Sequence, residues 1–186
     1  MSKLSVIIGS TRPGRVGLPV GQWFVERARL HGKLEVGVID LKELNLPFLD
    51  EPKHPRLADY QHEHTKAWSQ LVKASDAFVF VTPEYNFSAP PTLLNALNFL
   101  YHEWAYKPAG FVSYGGQSGG IRAVQMLKQP LIAMKVVGIP ESVVIPSVAQ
   151  LVDNGTFKGS EAMEKAAATM LDELVRWTDA LAALRG

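Results

Sequence analysis

Short continuous apolar runs alternate along this chain with segments whose apolar residues recur every three or four positions. Residues 4–8, 34–40, 77–81, 108–113 and 142–145 are runs of the first kind and read as buried parallel strands. Between them, residues 17–30 place Val20, Trp23, Phe24 and Ala28 on one helical face, and further helices are predicted near 60–74, 91–101 and 119–134. Pro130 should kink or interrupt the last of these. A final helix over 160–184 carries Met163, Ala167, Met170, Leu171, Leu174, Val175, Leu181 and Leu184 at helical spacing, with Ser160 as its N-cap. Residues 41–59, with Pro47, Pro52 and Pro55, read as a long irregular connection. Strand and helix alternating five times predict an α/β fold, a doubly wound parallel sheet with helices on both faces, built as one domain over 1–186.

Composition narrows the function more than the fold. The 186 residues are 47% hydrophobic and 20% charged, enough for one substantial core. A formal net charge of +1 offers no basic field for nucleic acid and no acidic face for docking basic redox proteins. Without cysteine there is no disulfide, thiolate nucleophile or Cys-based metal site. The first residues enter a strand directly and no apolar span is long enough for a bilayer, so a cytoplasmic protein without membrane contact is expected.

The chemistry concentrates where strands end. Gly9-Ser10-Thr11-Arg12-Pro13-Gly14-Arg15 follows the first strand with hydroxyls, backbone N–H groups and two guanidinium forks, which suits a phosphate at a helix start. It is neither a Walker loop nor a G-x-G-x-x-G fingerprint. An ordinary strand-to-helix turn with exposed arginines is the equal alternative. After the third strand, Thr82-Pro83-Glu84-Tyr85-Asn86-Phe87-Ser88-Ala89-Pro90-Pro91 combines a rigid backbone with aromatic faces and amide edges, as a flat heteroaromatic ligand requires. After the fourth, Ser113-Tyr114-Gly115-Gly116-Gln117-Ser118-Gly119-Gly120 allows close backbone approach. Ligands of open α/β sheets bind outside such carboxyl ends, so the three loops predict one composite pocket.

His62-Glu63-His64 lacks the i, i+4 spacing of a helical metal pair, and a solvated helix face on which the two histidines point apart is expected. Ser113 and Ser118 sit in no nucleophile elbow. Trp23, Trp68, Trp104 and Trp177 read as core or interface anchors.

Taken together these segments resemble the NADPH-dependent FMN reductase family of the flavodoxin-like fold, which includes quinone, azo-dye and chromate reductases. Gly9-Ser10-Thr11-Arg12 matches its G-S-x-R element, residues 82–90 its T-P-E-Y-N-x-S-x-P element, and Leu93-Leu94-Asn95-Ala96 its L-x-N-A helix start. The resemblance implies a sheet of order 2-1-3-4-5 and bound FMN. Ser10, Arg12 and Arg15 would hold its phosphate with Val16 nearby; Pro83, Glu84, Tyr85 and Asn86 would line one side of the flavin, and Ser113, Tyr114, Gly115 and Gly116 the other. It implies a homodimer or homotetramer, NADPH or NADH as donor, and a small-molecule acceptor such as free flavin or a quinone. No catalytic side chain and no metal are expected, because the cofactor carries the chemistry. Leu94 and Asn98 stand where family members often carry Lys and Asp, and Arg15-Val16-Gly17 replaces a serine or asparagine late in the phosphate loop. The rival is a flavodoxin-like electron carrier, which near-zero net charge disfavours.

Overall fold

The computed structural model describes residues 1–185; the last position of the expected 1–186 domain lies outside the described residues. In chain order the elements are β1 (Lys3–Ile8), α1 (Gly17–His31), β2 (Glu35–Asp40), α2 (Leu41–Leu44), α3 (Glu63–Lys73), β3 (Ala77–Pro83), α4 (Pro91–Asn98), β4 (Pro108–Tyr114), α5 (Ile121–Ala133), β5 (Val137–Ile145), β6 (Val152–Asp153), β7 (Thr156–Phe157) and α6 (Glu161–Ala182). The first five strands form a parallel sheet in the expected order β2-β1-β3-β4-β5.

Both faces of the sheet are covered, which is why β3 and β4 are buried at every position and mostly apolar. Val79 and Val81 of β3 face Val20 and Phe24 of α1 and Met170, Leu171 and Leu174 of α6. Phe78 and Phe80, one step out of phase, face Trp68, Leu93, Leu97 and Leu127 of α3, α4 and α5. Trp104 stands edge-on to Phe78, with ring centroids 4.9 Å apart. Trp68 is fully buried, and its indole N–H donates to the Ala96 carbonyl at 2.9 Å, so its one polar atom is satisfied.

Several boundaries differ from the sequence reading. β5 begins at Val137, five residues early, and carries Pro140 inside it. The strand is at the sheet edge, and its register slips between the partners of Ala109 and Phe111, a bulge that absorbs a residue without an N–H. α3 starts at Glu63 because the Glu51 carboxylate accepts the N–H groups of Gln61 and His62 and holds them outside the helix. α4 ends at Asn98, and α5 runs through Pro130 without interruption. The 41–59 connection contains α2 and a 3-10 turn at Pro55–Leu57. The small hairpin of β6 and β7, absent from the expected elements, turns at Asn154 and Gly155, both at positive φ, as an Asn-Gly turn does. Ser160 caps α6, its hydroxyl accepting from the Met163 N–H at 3.3 Å.

Candidate functional site

The first loop is held from three sides. Gly9 donates to the Val81 carbonyl of β3 (2.9 Å) and accepts from the Thr92 hydroxyl of α4 (2.7 Å), and a Cβ there would fit tightly, 3.2 Å from Leu93 Cδ2 and 3.3 Å from the Val81 carbonyl oxygen. Ser10 is 1% exposed, its hydroxyl 2.9 Å from the Tyr85 hydroxyl. Arg15 gives both guanidinium nitrogens to Asp40 at the end of β2, each at 2.5 Å, and Nη1 also donates to the Ser10 carbonyl at 2.6 Å. Its charge is thus matched by a carboxylate, and its place in the loop is that of a brace. Hydrogen bonding to Asp40 raises the arginine further above its ordinary value. Burial pushes the Asp40 carboxyl up, but the Arg15 pair and the Lys42 N–H outweigh it and hold Asp40 below the usual carboxylate range. Arg12 is exposed and makes no ion pair among the described residues.

Above this loop α1 begins without a side-chain cap, since Val16 occupies the N-cap. The start of α1 is correspondingly ready for an anion. Tyr114 at the end of β4 reaches the same point. It is 3% exposed, its hydroxyl packs against Gly17, and that hydroxyl has no hydrogen-bond partner among the described residues. The Ser10 hydroxyl, bonded to that of Tyr85, lies beside it and offsets part of the effect of burial. Burial raises the Tyr114 phenol, so it stays a neutral donor.

The second loop is a two-residue hairpin: Tyr85 and Ser88 exchange backbone bonds of 2.8 and 3.0 Å, and Asn86 and Phe87 between them lie at φ 50° and 66°. Positive φ at both central positions defines a type I′ turn, usually Asn-Gly, here Asn-Phe. Glu84 continues the β3–β4 pairing by donating its N–H to the Tyr114 carbonyl (3.1 Å). Its carboxylate accepts from the Ser118 hydroxyl, the Arg122 backbone N–H and Arg122 Nε at 3.0, 3.2 and 2.7 Å. Burial pushes Glu84 up, and these donors bring it below its ordinary value. The carboxylate therefore staples the second loop to the start of α5.

The third loop turns back through Gly119 and Gly120, at φ 62° and 86°. A Cβ on Gly120 would lie 2.8 Å from the Tyr114 nitrogen, so only glycine fits. Ser113 is fully buried and donates to the Gly119 carbonyl (2.9 Å), closing the loop from beneath.

These pieces meet in a cleft of about 370 Å³ at the carboxyl ends of β1, β3, β4 and β5, inside the roughly 300–1,000 Å³ range of small-molecule sites. Ser10, Arg12, Arg15, Val16, Pro83, Glu84, Tyr85, Tyr114, Gly115 and Gly116 line it; Asn86 and Ser113 do not. Asn86 shapes the hairpin and Ser113 the loop closure. Ser147, Val148 and Ala149 complete the lining from a fourth loop, after β5. The N–H groups of Ser147 and Val148 donate to Gly116 and Gly115 at 2.8 and 3.1 Å, tying the third and fourth loops together. Asp40, the brace of Arg15, is the other contributor sequence reading passed over; its position at the end of the second strand was the available signal.

A larger cavity of about 700 Å³ lies beside Ser75, Asp76 and Lys107, at the amino ends of β3 and β4. Lys107 there already donates to the Val72 and Lys73 carbonyls at the end of α3. The smaller cleft is on the side of the sheet where α/β ligands bind, so it is the candidate site. Asn98, which stands where family members often carry Asp, donates to the Leu94 carbonyl one turn back at 2.9 Å, and Leu94 packs against the apolar cluster beneath α4. His62 precedes α3 and stacks on His64 with centroids 5.2 Å apart, contrary to the expected divergence; His64 bonds to Asp50 at 2.9 Å.

A doubly wound sheet whose carboxyl edge joins an anion-ready helix start to an aromatic hairpin is a flavodoxin-like architecture. The chain belongs to the NADPH-dependent FMN reductase family, whose model matches residues 2–150. It is similar to an NAD(P)H-dependent FMN reductase of Schizosaccharomyces pombe, 42% identical over 126 residues, covering 67% of this chain and 63% of that protein. It is also similar to an NAD(P)H-dependent FMN reductase of Saccharomyces cerevisiae, 37% identical over 144 residues, covering 72% of this chain and 75% of that one. Among solved structures, the flavoenzyme NAD(P)H:(acceptor) oxidoreductase FerB of Paracoccus denitrificans shares the fold, with a TM-score of 0.75, 24% identity, and 96% and 98% of the two chains covered. No helix among the described residues is long and apolar enough to cross a membrane.

Proposed function

We propose that the whole chain works as one FMN-binding domain, a cytoplasmic NAD(P)H-dependent oxidoreductase that reduces free flavin, quinones or other small acceptors by a ping-pong route. The observation that carries this reading is the convergence of the three family loops on one cleft, with a buried, unpartnered Tyr114 hydroxyl aimed at the uncapped start of α1. An orphaned donor there suits a phosphate oxygen. Bound FMN would supply two-electron chemistry, taking hydride from the nicotinamide and passing electrons to the acceptor.

The residues divide the work of binding. Arg12, whose guanidinium is free, and the Ser10 and Tyr114 hydroxyls would hold the phosphate, with Val16 and Gly17 backing it. Arg15 would fix the loop and lend charge from behind through its Asp40 pair. Pro83, Glu84 and Tyr85 would border one side of the ring system, with Gly115, Gly116 and the 147–149 segment on the other. Asn86 and Ser113 would act by holding the two loops in shape.

Nothing in the cleft acts as an obligatory acid or base in this scheme, and proton exchange is left to solvent. A homodimer or homotetramer is part of the proposal. Phe48 and Leu57, 84% and 66% exposed on the 41–59 connection, are the apolar residues a partner copy would cover.

Titrating apoprotein with FMN and then adding NADPH or NADH anaerobically tests the function. Stoichiometric FMN uptake followed by bleaching of the flavin absorbance is expected; no uptake, or preferential uptake of FAD, overturns it.

A further inference from the structure

Phe87 stands out against everything around it. A bulky side chain at φ 66° is a backbone outlier in a position that favours glycine. Burial does not compensate for it, because the residue is 66% exposed. Such outliers persist where the surrounding structure holds them and the side chain has a task.

Its surroundings are built. The Arg122 guanidinium lies 4.0 Å from the Phe87 ring centroid, covering one face, and Arg122 Nε is fixed by Glu84 at 2.7 Å. Glu84 and Tyr85, which flank the turn, both line the cleft. The ring is therefore carried at the tip of the hairpin whose base lines the cleft, with one face backed by a guanidinium and most of the side chain open to solvent.

We propose that Phe87, backed by Arg122, is a specificity-determining platform on which the ring of a planar aromatic electron acceptor, a quinone, stacks on its way to the cofactor. This deepens the FMN-reductase reading and rests on it. A flat conjugated ligand gains offset or edge contact from such a face, whereas a compact ionic oxidant gains nothing. The role is positioning and leaves the cofactor pocket itself unchanged.

Phe87→Gly tests it with little risk to folding, since glycine relieves the positive φ. With FMN bound, the expected result is a KM for 1,4-naphthoquinone raised about tenfold, the size of one aromatic contact. FMN affinity, the anaerobic rate of reduction by NADPH, and turnover with ferricyanide should stay within about twofold, on the same scale. Phe87→Trp should restore the quinone KM. An unchanged quinone KM in FMN-loaded Phe87→Gly, or an equal rise with ferricyanide, overturns the platform while leaving the reductase reading intact. Wild-type protein that takes up no FMN removes both.

Discussion

Arg15 and Asp40 form a two-pronged ion pair across the start of α1, each guanidinium nitrogen 2.5 Å from a carboxylate oxygen, with side chains only 7% and 12% exposed. The pair ties the first loop to the end of β2, so the loop that would receive phosphate is shaped before any ligand arrives. Arg15→Ala leaves the Asp40 charge without its partner, and a loss of about 3 kcal/mol in unfolding free energy is expected, the low end for breaking a buried pair from one side. Arg15→Lys should recover only part of it, because an ammonium cannot make the fork. Urea unfolding of the three proteins measures this; full stability in Arg15→Ala would return the residue to the free-arginine role.

The same pair sets an acid limit. Asp40 is held below its ordinary value in the folded protein, so between the folded and unfolded values the unfolded chain binds more protons. Its stabilising contribution is complete above the unfolded carboxylate value, about 4, and is lost as pH falls through the lower folded value. Asp40→Asn should be less stable than wild type at neutral pH, and the gap should narrow in thermal melts taken progressively below that point. A gap constant with pH would show that the pair does not titrate with folding.

Tyr114→Phe separates apoprotein stability from ligand affinity. Removing a buried hydroxyl without a partner relieves a penalty of roughly 1–3 kcal/mol, so the apoprotein should melt at the same temperature or higher. FMN binding should weaken about tenfold, the value of one lost hydrogen bond to a charged group. Calorimetry with and without FMN reads both changes. Equal affinity would detach Tyr114 from the phosphate.

Arg12→Ala should weaken FMN binding by about 1.5–3 kcal/mol with stability intact, since an exposed guanidinium without a protein partner has only a ligand to lose. Riboflavin, which has no phosphate, serves as the control: its affinity should be the same in both proteins. A matching loss for riboflavin would place Arg12 against the ring system instead.

How much of this was legible depended on whether the signal was local. The five strands and both helical layers follow from apolar runs such as 77–81, buried on two faces, whereas the strand order is implied only by the family resemblance. Ten of the twelve expected site residues line the cleft because strand ends in a parallel sheet carry their loops to one edge. The pairing of Arg15 with Asp40 was hidden, since the residues are 25 apart, one in the loop before α1 and the other at the end of β2. Ser113 looked like a ligand contact, but the need to close a glycine turn draws its hydroxyl inward to Gly119. The early start of β5 was masked by Pro140, which an edge strand with a bulge accommodates and a central strand would not.

Enzyme and electron carrier separate in steady-state kinetics. The cleft would supply positioning from Ser10, Arg12 and Tyr85, and its one carboxylate, Glu84, is stapled by donors that hold it below its ordinary value. If the cofactor carries the chemistry, the protein should oxidise NADPH or NADH unaided with free FMN or a soluble quinone, and initial rates should give parallel double-reciprocal lines as donor and acceptor take turns in one cleft. Tyr85→Phe removes the 2.9 Å hydroxyl contact with Ser10 and should loosen FMN while leaving flavin reduction in the loaded protein within about threefold, a change smaller than one lost neutral hydrogen bond. Bound flavin that neither nicotinamide reduces would favour the carrier. Flavin reduction lost in Tyr85→Phe with FMN still bound would make the phenol an obligatory proton donor and end the claim that the chain only binds and orients.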